Sequence, residues 1–445
     1  MSETVSVIGA GLAGSEAAWQ LAEKGIKVNL FEMKPETMSP AHKSSSYAEL
    51  VCSNSLRSND LTNAVGLLKE EMRRLGSLII RSADATGVPA GSALAVDRER
   101  FSILVTEHIK SHRNIEVITG EVTDIPDGLV IIATGPLTSD KLFAKISELF
   151  PDKKLLSFFD SAAPIVTYAS IDMDIAYLAS RYNKGDADYV NCPMDKKQYI
   201  AFHRELLNSK KAPVHGFEEK LVFEGCIPIE VMAARGEDTM RFGPLKPVGL
   251  RDPKTGLEPY AVVQLRQDNS EGTLYNIVGF QTHLTFSEQK RVFSMIPALE
   301  NAEFVRYGVM HRNTYLDSPK LLDKYNRLKN NTRLRFAGQI TGVEGYVESA
   351  SSGLLTGLET ANEILGLPPF DFPAETAIGA LALYTSGGSV SDFQPMNVNF
   401  GIIKPPEIKV KGKRNKNLLL SERSLKIIDD MAKIAKEGVI SENHS

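Results

Sequence analysis

At 445 residues the chain exceeds the size at which one hydrophobic core stops growing, so its length predicts two or three domains. Hydrophobic residues at 42% and charged residues at 24% exclude large disordered regions, and a net charge of −4 excludes a globally basic nucleic-acid binder, leaving such contacts to local patches. Cys52, Cys192 and Cys226 lack CxxC spacing, which excludes a disulfide framework and a paired-cysteine zinc site; with no signal-like leader and no apolar run near the ~20 residues of a membrane helix, the expected compartment is the cytoplasm, without membrane contact.

Thr4–Ile8 is a short β-branched run, Gly9–Gly14 is a glycine-rich turn, and Ser15–Lys24 has helix-forming composition with Gly25 at its end. The strand Lys27–Phe31 follows and runs into Glu32. Strand, glycine turn, helix, strand and acid together have the spacing of a dinucleotide fingerprint. In the run Gly9, Ala10, Gly11, Leu12, Ala13, Gly14, the first glycine permits the tight turn, the second lets backbone approach a pyrophosphate, and the third allows close packing of the helix. Glu32 is placed to accept a hydrogen bond from a ribose hydroxyl. Its charge disfavours a ribose phosphate, so the bound nucleotide is FAD or NAD rather than NADP.

A polar stretch, Lys34–Ser46, precedes helical periodicity over Leu61–Leu75; a further helix begins at Val96–Phe101, and Glu116–Ile118 and Leu129–Ala133 read as buried strands. The second of these runs into Ala133, Thr134, Gly135 and Pro136. From about Tyr182 to Ala298 charged, proline-punctuated segments alternate with short strand-like pieces, Leu221–Phe223, Ala261–Leu265 and Tyr275–Gly279, which predicts an insertion. Leu334–Gly338 returns to a strand ending in glycine, Ser349–Leu365 reads as a long helix, and a basic stretch, 404–416, precedes an amphipathic helix near Leu425–Lys436. Thr134 and Gly135 resemble the second glycine signature of two-dinucleotide flavoproteins, and Phe336–Tyr346, with Gly338, Gly345 and Tyr346, resembles their late flavin-contacting segment. Two such segments bracketing an insertion favour FAD over NAD. The expected fold is α/β, a Rossmann-like FAD-binding domain (1–181 and 299–372) interrupted by an α+β insertion domain (182–298), with a C-terminal helical segment (373–445).

Gly9–Gly14, Ala48–Ser55, Leu61–Lys69, Val96–Arg98, Ala133–Pro136, Gly225–Pro228 and Phe336–Tyr346 together resemble the folate- and FAD-dependent tRNA (uracil-5-)-methyltransferases. The resemblance runs from Val5 to about Val398, and the tail after Lys404 matches no family motif. That family is a smaller relative of the flavoprotein that modifies tRNA wobble uridines with a GTPase partner. The resemblance implies methylation of a tRNA uridine, in the T-loop, at C5, with methylene-tetrahydrofolate as one-carbon donor, NADPH or NADH as reductant of the flavin, and no obligatory protein partner.

Uracil C5 is a poor nucleophile, and a thiolate added to C6 activates it as an enolate that attacks the folate-derived carbon. Loss of the C5 proton and of tetrahydrofolate leaves an exocyclic methylene, which a hydride from reduced flavin converts to methyl. The resemblance assigns Cys226 as the C6 nucleophile and Cys52 as a second thiol, close to the flavin or acting in proton removal. Cys192 matches nothing and reads as structural. Tyr346 either stacks on a pterin or flavin ring or packs against the sheet, and Asp97-Arg98 either neutralises phosphate or caps a helix. Lys404, Lys409, Lys411, Lys413, Arg414 and Lys416, with Lys210-Lys211 in the insertion, either contact RNA phosphates or form solvated faces. The competing readings are a wobble-uridine-modifying flavoenzyme and a non-catalytic flavin-binding redox sensor. The usual disulfide reductase is excluded by the missing CxxC.

Overall fold

Four consecutive buried residues, Val5–Ile8 (β1), form a central strand because an apolar, β-branched run tolerates cover on both faces. The chain is seen in a computed structural model that describes residues 4–39, 41–150, 156–161, 163–183, 186–212, 227–308, 310–387, 393–408 and 410–442. The helix Leu12–Glu23 (α1) and the strand Val28–Glu32 (β2) complete the first βαβ unit. They belong to a six-stranded sheet in the order 327–328, 331–336, 130–132, β1, β2, 115–119. All neighbours are parallel except the first two strands. Strand order reverses between β1 and Val130–Ile132, and the crevice at the carboxyl ends of such a switch point is where open α/β sheets bind ligands.

Helix Tyr346–Ile364 packs across α1 at unusually close range. A Cβ on Gly353 would lie 2.2 Å from the Ala13 carbonyl oxygen, and one on Gly357 would lie 2.8 Å from that of Ala17. Glycines therefore set the separation of the two helices. The last parallel strand and this helix come from the far side of the insertion, so the first core is assembled from both ends of the chain.

A second six-stranded sheet, wholly antiparallel, runs 177–179, 189–194, 261–267, 274–277, 165–167, 304–306. Its own core includes Cys192, Phe202, Leu265, Phe280 and Phe293. The strands Ile165–Thr167, Tyr177–Ala179 and Phe304–Arg306 lie outside the expected insertion of 182–298 yet pair within this sheet. Three-residue strands carry too little alternation to be read in advance. A ribbon of Leu156–Ser161 against Met310–Tyr315 joins the two regions. The expected strand Leu221–Phe223 lies outside the described residues.

The C-terminal helix, Lys413–Glu442, is longer than expected and docks on helix Ala64–Arg74. The Ser421 hydroxyl donates to the Leu61 carbonyl (2.7 Å), the Asn417 amide to that of Thr62 (2.9 Å), and Arg74 pairs with Asp429 at 2.6 Å. Beneath this contact the buried Glu71 carboxylate accepts the N–H groups of Ala377 (2.7 Å) and Ile378 (2.9 Å), capping helix Ala377–Ser386, and also the Ser424 hydroxyl. Burial pushes the Glu71 carboxyl from 4.5 up to about 7, although its hydrogen bonds act in the opposite direction. Between those two values the folded state holds the proton more tightly than the unfolded state, so stability falls as pH rises from 4.5 to about 7 and levels off above it. Glu71→Gln should flatten that part of the dependence, read as a smaller change in thermal midpoint between about pH 5 and pH 7 than the wild type shows. Among the described residues, no helix is long and apolar enough to cross a membrane.

Candidate active site

β1 must turn at once into α1, and the three glycines divide that work. Gly9 has φ +99°, and a Cβ there would sit 2.8 Å from the Ala133 carbonyl oxygen. A Cβ on Gly14 would fall 1.8 Å from the Gly9 oxygen, so only glycine lets the helix close on the turn. At Gly11 a Cβ would meet nothing within 4 Å. The space above Gly11 is open, and α1 begins there without a side-chain cap, which leaves N–H groups of its first turn available to an anion. Glu32 braces the turn: its Oε2 accepts the Ala10 N–H at 2.8 Å and its Oε1 accepts the Lys34 N–H at 3.0 Å.

A cleft of about 1140 Å³, its mouth included, opens at this switch point. Gly9, Gly11, Leu12, Ala13 and Glu32 line it from the first βαβ unit; Thr134 and Gly135 follow strand Val130–Ile132, and Gly338 and Tyr346 belong to the late segment. Ala10 and Gly14 stand behind the wall, the first bonded to Glu32 and the second packed on the turn, while Gly345 is the N-cap residue of the helix that Tyr346 begins. The polar stretch Lys34–Ser46, to which the sequence assigns no role, contributes Lys34, Ser39 and His42 to the same wall. His42 Nδ1 lies 2.5 Å from the Ser39 hydroxyl, and burial, reinforced by the neighbouring Lys34 charge, pushes the imidazole below its usual pKa. No periodicity marks these residues in the sequence.

Cys52 is half-buried on a loop fastened to the cleft wall. The Tyr346 hydroxyl accepts the backbone N–H groups of Cys52 at 2.6 Å and Ser53 at 3.2 Å. Burial, together with the nearby Cys52 thiol, pushes the Tyr346 hydroxyl well above its usual pKa, so it serves this loop as a neutral phenol. Tyr346 therefore both starts a helix and faces the cleft.

Three arginines hold the loop from outside. Arg98 donates to the Leu50 carbonyl at 2.6 Å, Arg306 to that of Val51 at 2.6 Å, and Arg266 to the Ser53 hydroxyl at 2.6 Å and the Asn54 side-chain oxygen at 3.0 Å. Arg98 also pairs with Asp268 at 2.8 Å. Two of these arginines stand on strands of the second sheet, so the thiol loop lies where the two sheets meet. The Asp97-Arg98 pair is structural in this sense: Asp97 caps helix Arg98–Ser111 through the Arg100 N–H at 3.0 Å, and Arg98 reaches the Cys52 loop. Arg266 and Arg306 carry no motif and were not legible as site residues.

Cys226 lies outside the described residues. Cys192 is fully buried in the second sheet, where burial pushes its thiol up, in agreement with a structural role. Lys404 is paired with Glu375 at 2.7 Å; Lys411, Lys413, Arg414 and Lys416 are exposed, as are Lys210 and Lys211, and Lys409 lies outside the described residues.

Residues 4–368 match the family model of glucose inhibited division protein A. The methylenetetrahydrofolate--tRNA-(uracil-5-)-methyltransferase TrmFO of Acetivibrio thermocellus is 61% identical over 431 residues, covering 97% of this chain and 99% of that protein. The protein of the same name from Lactobacillus johnsonii is 59% identical over 430 residues, 96% of this chain and 98% of its own. Among solved structures, Aquifex aeolicus GidA in its form II crystal superposes with a TM-score of 0.71 at 16% identity, over 99% of this chain and 76% of that one, a likeness of fold. An identity of 61% that runs along nearly the whole of both chains places this protein more narrowly than the shared fold does: it belongs to the TrmFO family.

Proposed function

We propose that the protein methylates C5 of a tRNA uridine, taking the carbon from methylenetetrahydrofolate and the hydride from reduced FAD, which NADPH or NADH regenerates. The observation that carries this reading is the joining of the switch-point cleft to a thiol loop through one side chain, Tyr346. The residues present fit FAD. The space over Gly11 is open, the start of α1 has no side-chain cap, and the Glu32 carboxylate faces the cleft. Reduced FAD, when bound, supplies the hydride that completes the methyl group.

The chain's own residues do the rest. The first turn of α1 receives pyrophosphate charge, and Glu32 accepts a ribose hydroxyl. Thr134, Gly135 and Gly338 on the cleft wall would hold the remainder of the dinucleotide, Gly345 would shape the turn before Tyr346, and Tyr346 lines the cleft. Cys226 adds to C6 of the uracil, and Cys52, held by Tyr346 and the arginines, serves at the C5 proton. Identity of 61% along nearly the whole chain to a methylenetetrahydrofolate--tRNA-(uracil-5-)-methyltransferase TrmFO favours this reading over a wobble-uridine enzyme. The T-loop is the proposed target, and a tRNA substrate places the enzyme in the cytoplasm.

The test uses the purified protein alone, with unmodified tRNA, labelled methylenetetrahydrofolate and NAD(P)H. The expected product after nuclease digestion is labelled 5-methyluridine, formed without an added protein. Labelled transfer from S-adenosylmethionine with folate stripped away would overturn the reaction.

A further inference from the structure

The second sheet carries an aromatic stack that the chemistry above does not use. Phe286, at the start of helix Phe286–Phe293, lies 5.0 Å from Tyr307 between ring centroids with 15° between the planes. Tyr307 in turn lies 5.4 Å from Phe304 at 9°. The rings are thus nearly parallel, the inner end rests on the core at Phe293, and the outer ring, Phe286, is 54% exposed. A single exposed phenylalanine is ordinary. A series of parallel rings that runs from half-buried Phe304 and Tyr307 to exposed Phe286 is a different object, because its last face can accept one more flat π-system.

The charge around this face is positive. Residues 210–212 run beside 283–285: the Thr285 N–H donates to the Lys210 carbonyl at 3.1 Å, Lys211 bridges Leu284, and the Ala212 N–H donates to the His283 carbonyl at 2.7 Å. Lys210 and Lys211 are thereby set beside Phe286, with Lys290 one helical turn further on, and all three are exposed. The nearby carboxylates of Glu288 and Glu205 are both engaged by Arg291, at 2.7 Å and 2.5 Å. The stack is also continuous with the site. Arg306, the residue before Tyr307, is the one that donates to Val51 beside Cys52.

We propose that the Phe286–Tyr307 stack is a docking platform for a nucleobase of the tRNA substrate, with Lys210 and Lys211 holding the adjoining phosphates. This rests on the tRNA-methylating reading above and assigns that substrate a place outside the flavin cleft. Sequence-tolerant recognition of unpaired bases combines aromatic faces with cationic side chains in this way. A protein partner would find the same aromatic surface, but the lysines beside it favour a polyanion.

The experiment measures the affinity of the full-length, flavin-loaded enzyme for an unmodified tRNA transcript. Phe286→Ala should raise Kd about tenfold, and Phe286→Trp should restore affinity, since tryptophan retains a stacking face. The double variant Lys210→Ala, Lys211→Ala should lower the slope of log Kd against log salt by about one to two, as expected for lost phosphate contacts. The flavin absorbance of each variant reports an intact fold. Unchanged affinity in Phe286→Ala overturns the platform while wild-type methylation, measured separately, still decides the enzymatic reading. If Phe286→Ala binds tRNA normally but sediments as a smaller species, the face is a contact between copies of this chain, and the proposal is likewise overturned.

Discussion

Gly11→Val should give a folded protein that purifies without flavin. At Gly11 the backbone has φ −74° and ψ −169°, an extended conformation open to any residue, and no atom beyond the adjoining residues lies within 4 Å of the position a Cβ would take. The first atom of a side chain therefore meets no neighbour beyond the adjoining residues. The branches of valine instead fill the space above the first turn of α1 and cover the N–H groups that receive an anion. The flavin-to-protein absorbance ratio after gel filtration should fall at least about tenfold, because an ordinary charge-assisted site loses the bulk of its affinity once a side chain occupies it. The thermal midpoint should stay close to that of the deflavinated wild type. Gly14→Val is the contrasting variant: its Cβ would strike the Gly9 oxygen at 1.8 Å, so it should lower the thermal midpoint of the protein itself. A Gly11→Val protein that remained fully yellow would remove the assigned site.

Cys226→Ala should abolish methylation and keep the flavin. An uncharged C5 cannot capture the folate carbon at a useful rate, and the thiolate that adds to C6 converts it to an enolate. Alanine removes the attacking atom and leaves the glycine turn and Glu32 unchanged. Wild-type enzyme should form a covalent adduct with tRNA carrying 5-fluorouridine at the target, since fluorine does not leave as a proton does and the C6 thioether is trapped. Cys226→Ala should form none, while Cys52→Ala should retain it. Peptide mapping decides the assignment: an adduct on Cys52 exchanges the two roles, and turnover by both alanine variants rules out thiol addition.

What could be read in advance followed from how local the physical requirement is. The unit from Val5 to Glu32 is legible because a tight turn, a close helix and a bracing acid constrain residues near one another in the chain. The late segment at Gly338–Tyr346 is legible for the same reason, and the cleft brings it against the first unit. Arg266 and Arg306 are different. Each is one charged residue on a strand, and their partners on the thiol loop, Ser53 and Val51, lie 213 and 255 residues away. Nothing in their neighbourhood of sequence requires an arginine. The strands Ile165–Thr167 and Phe304–Arg306 of the second sheet escape for a related reason, since three residues paired with distant strands show no alternation of their own. Lys210-Lys211 was visible as charge, but its nearness to Phe286 depends on the isolated pairing of Lys211 with Leu284.

The glycine-mediated crossing of α1 by helix Tyr346–Ile364 bears on how this protein is made. Gly353 rests against Ala13, so the apolar face of the first helix to leave the ribosome stays uncovered until translation has passed residue 353. At elongation speeds of about 5–20 residues per second, that interval is roughly twenty to seventy seconds. The antiparallel second sheet has all its strands between residues 165 and 306 and is able to close during the wait. A nascent chain of this protein thus holds all the strands of the second sheet while its first helix still lacks its cover. Ribosomes that stall before residue 346 should release chains whose first βαβ unit lacks its cover, the species that chaperones and proteases are expected to meet.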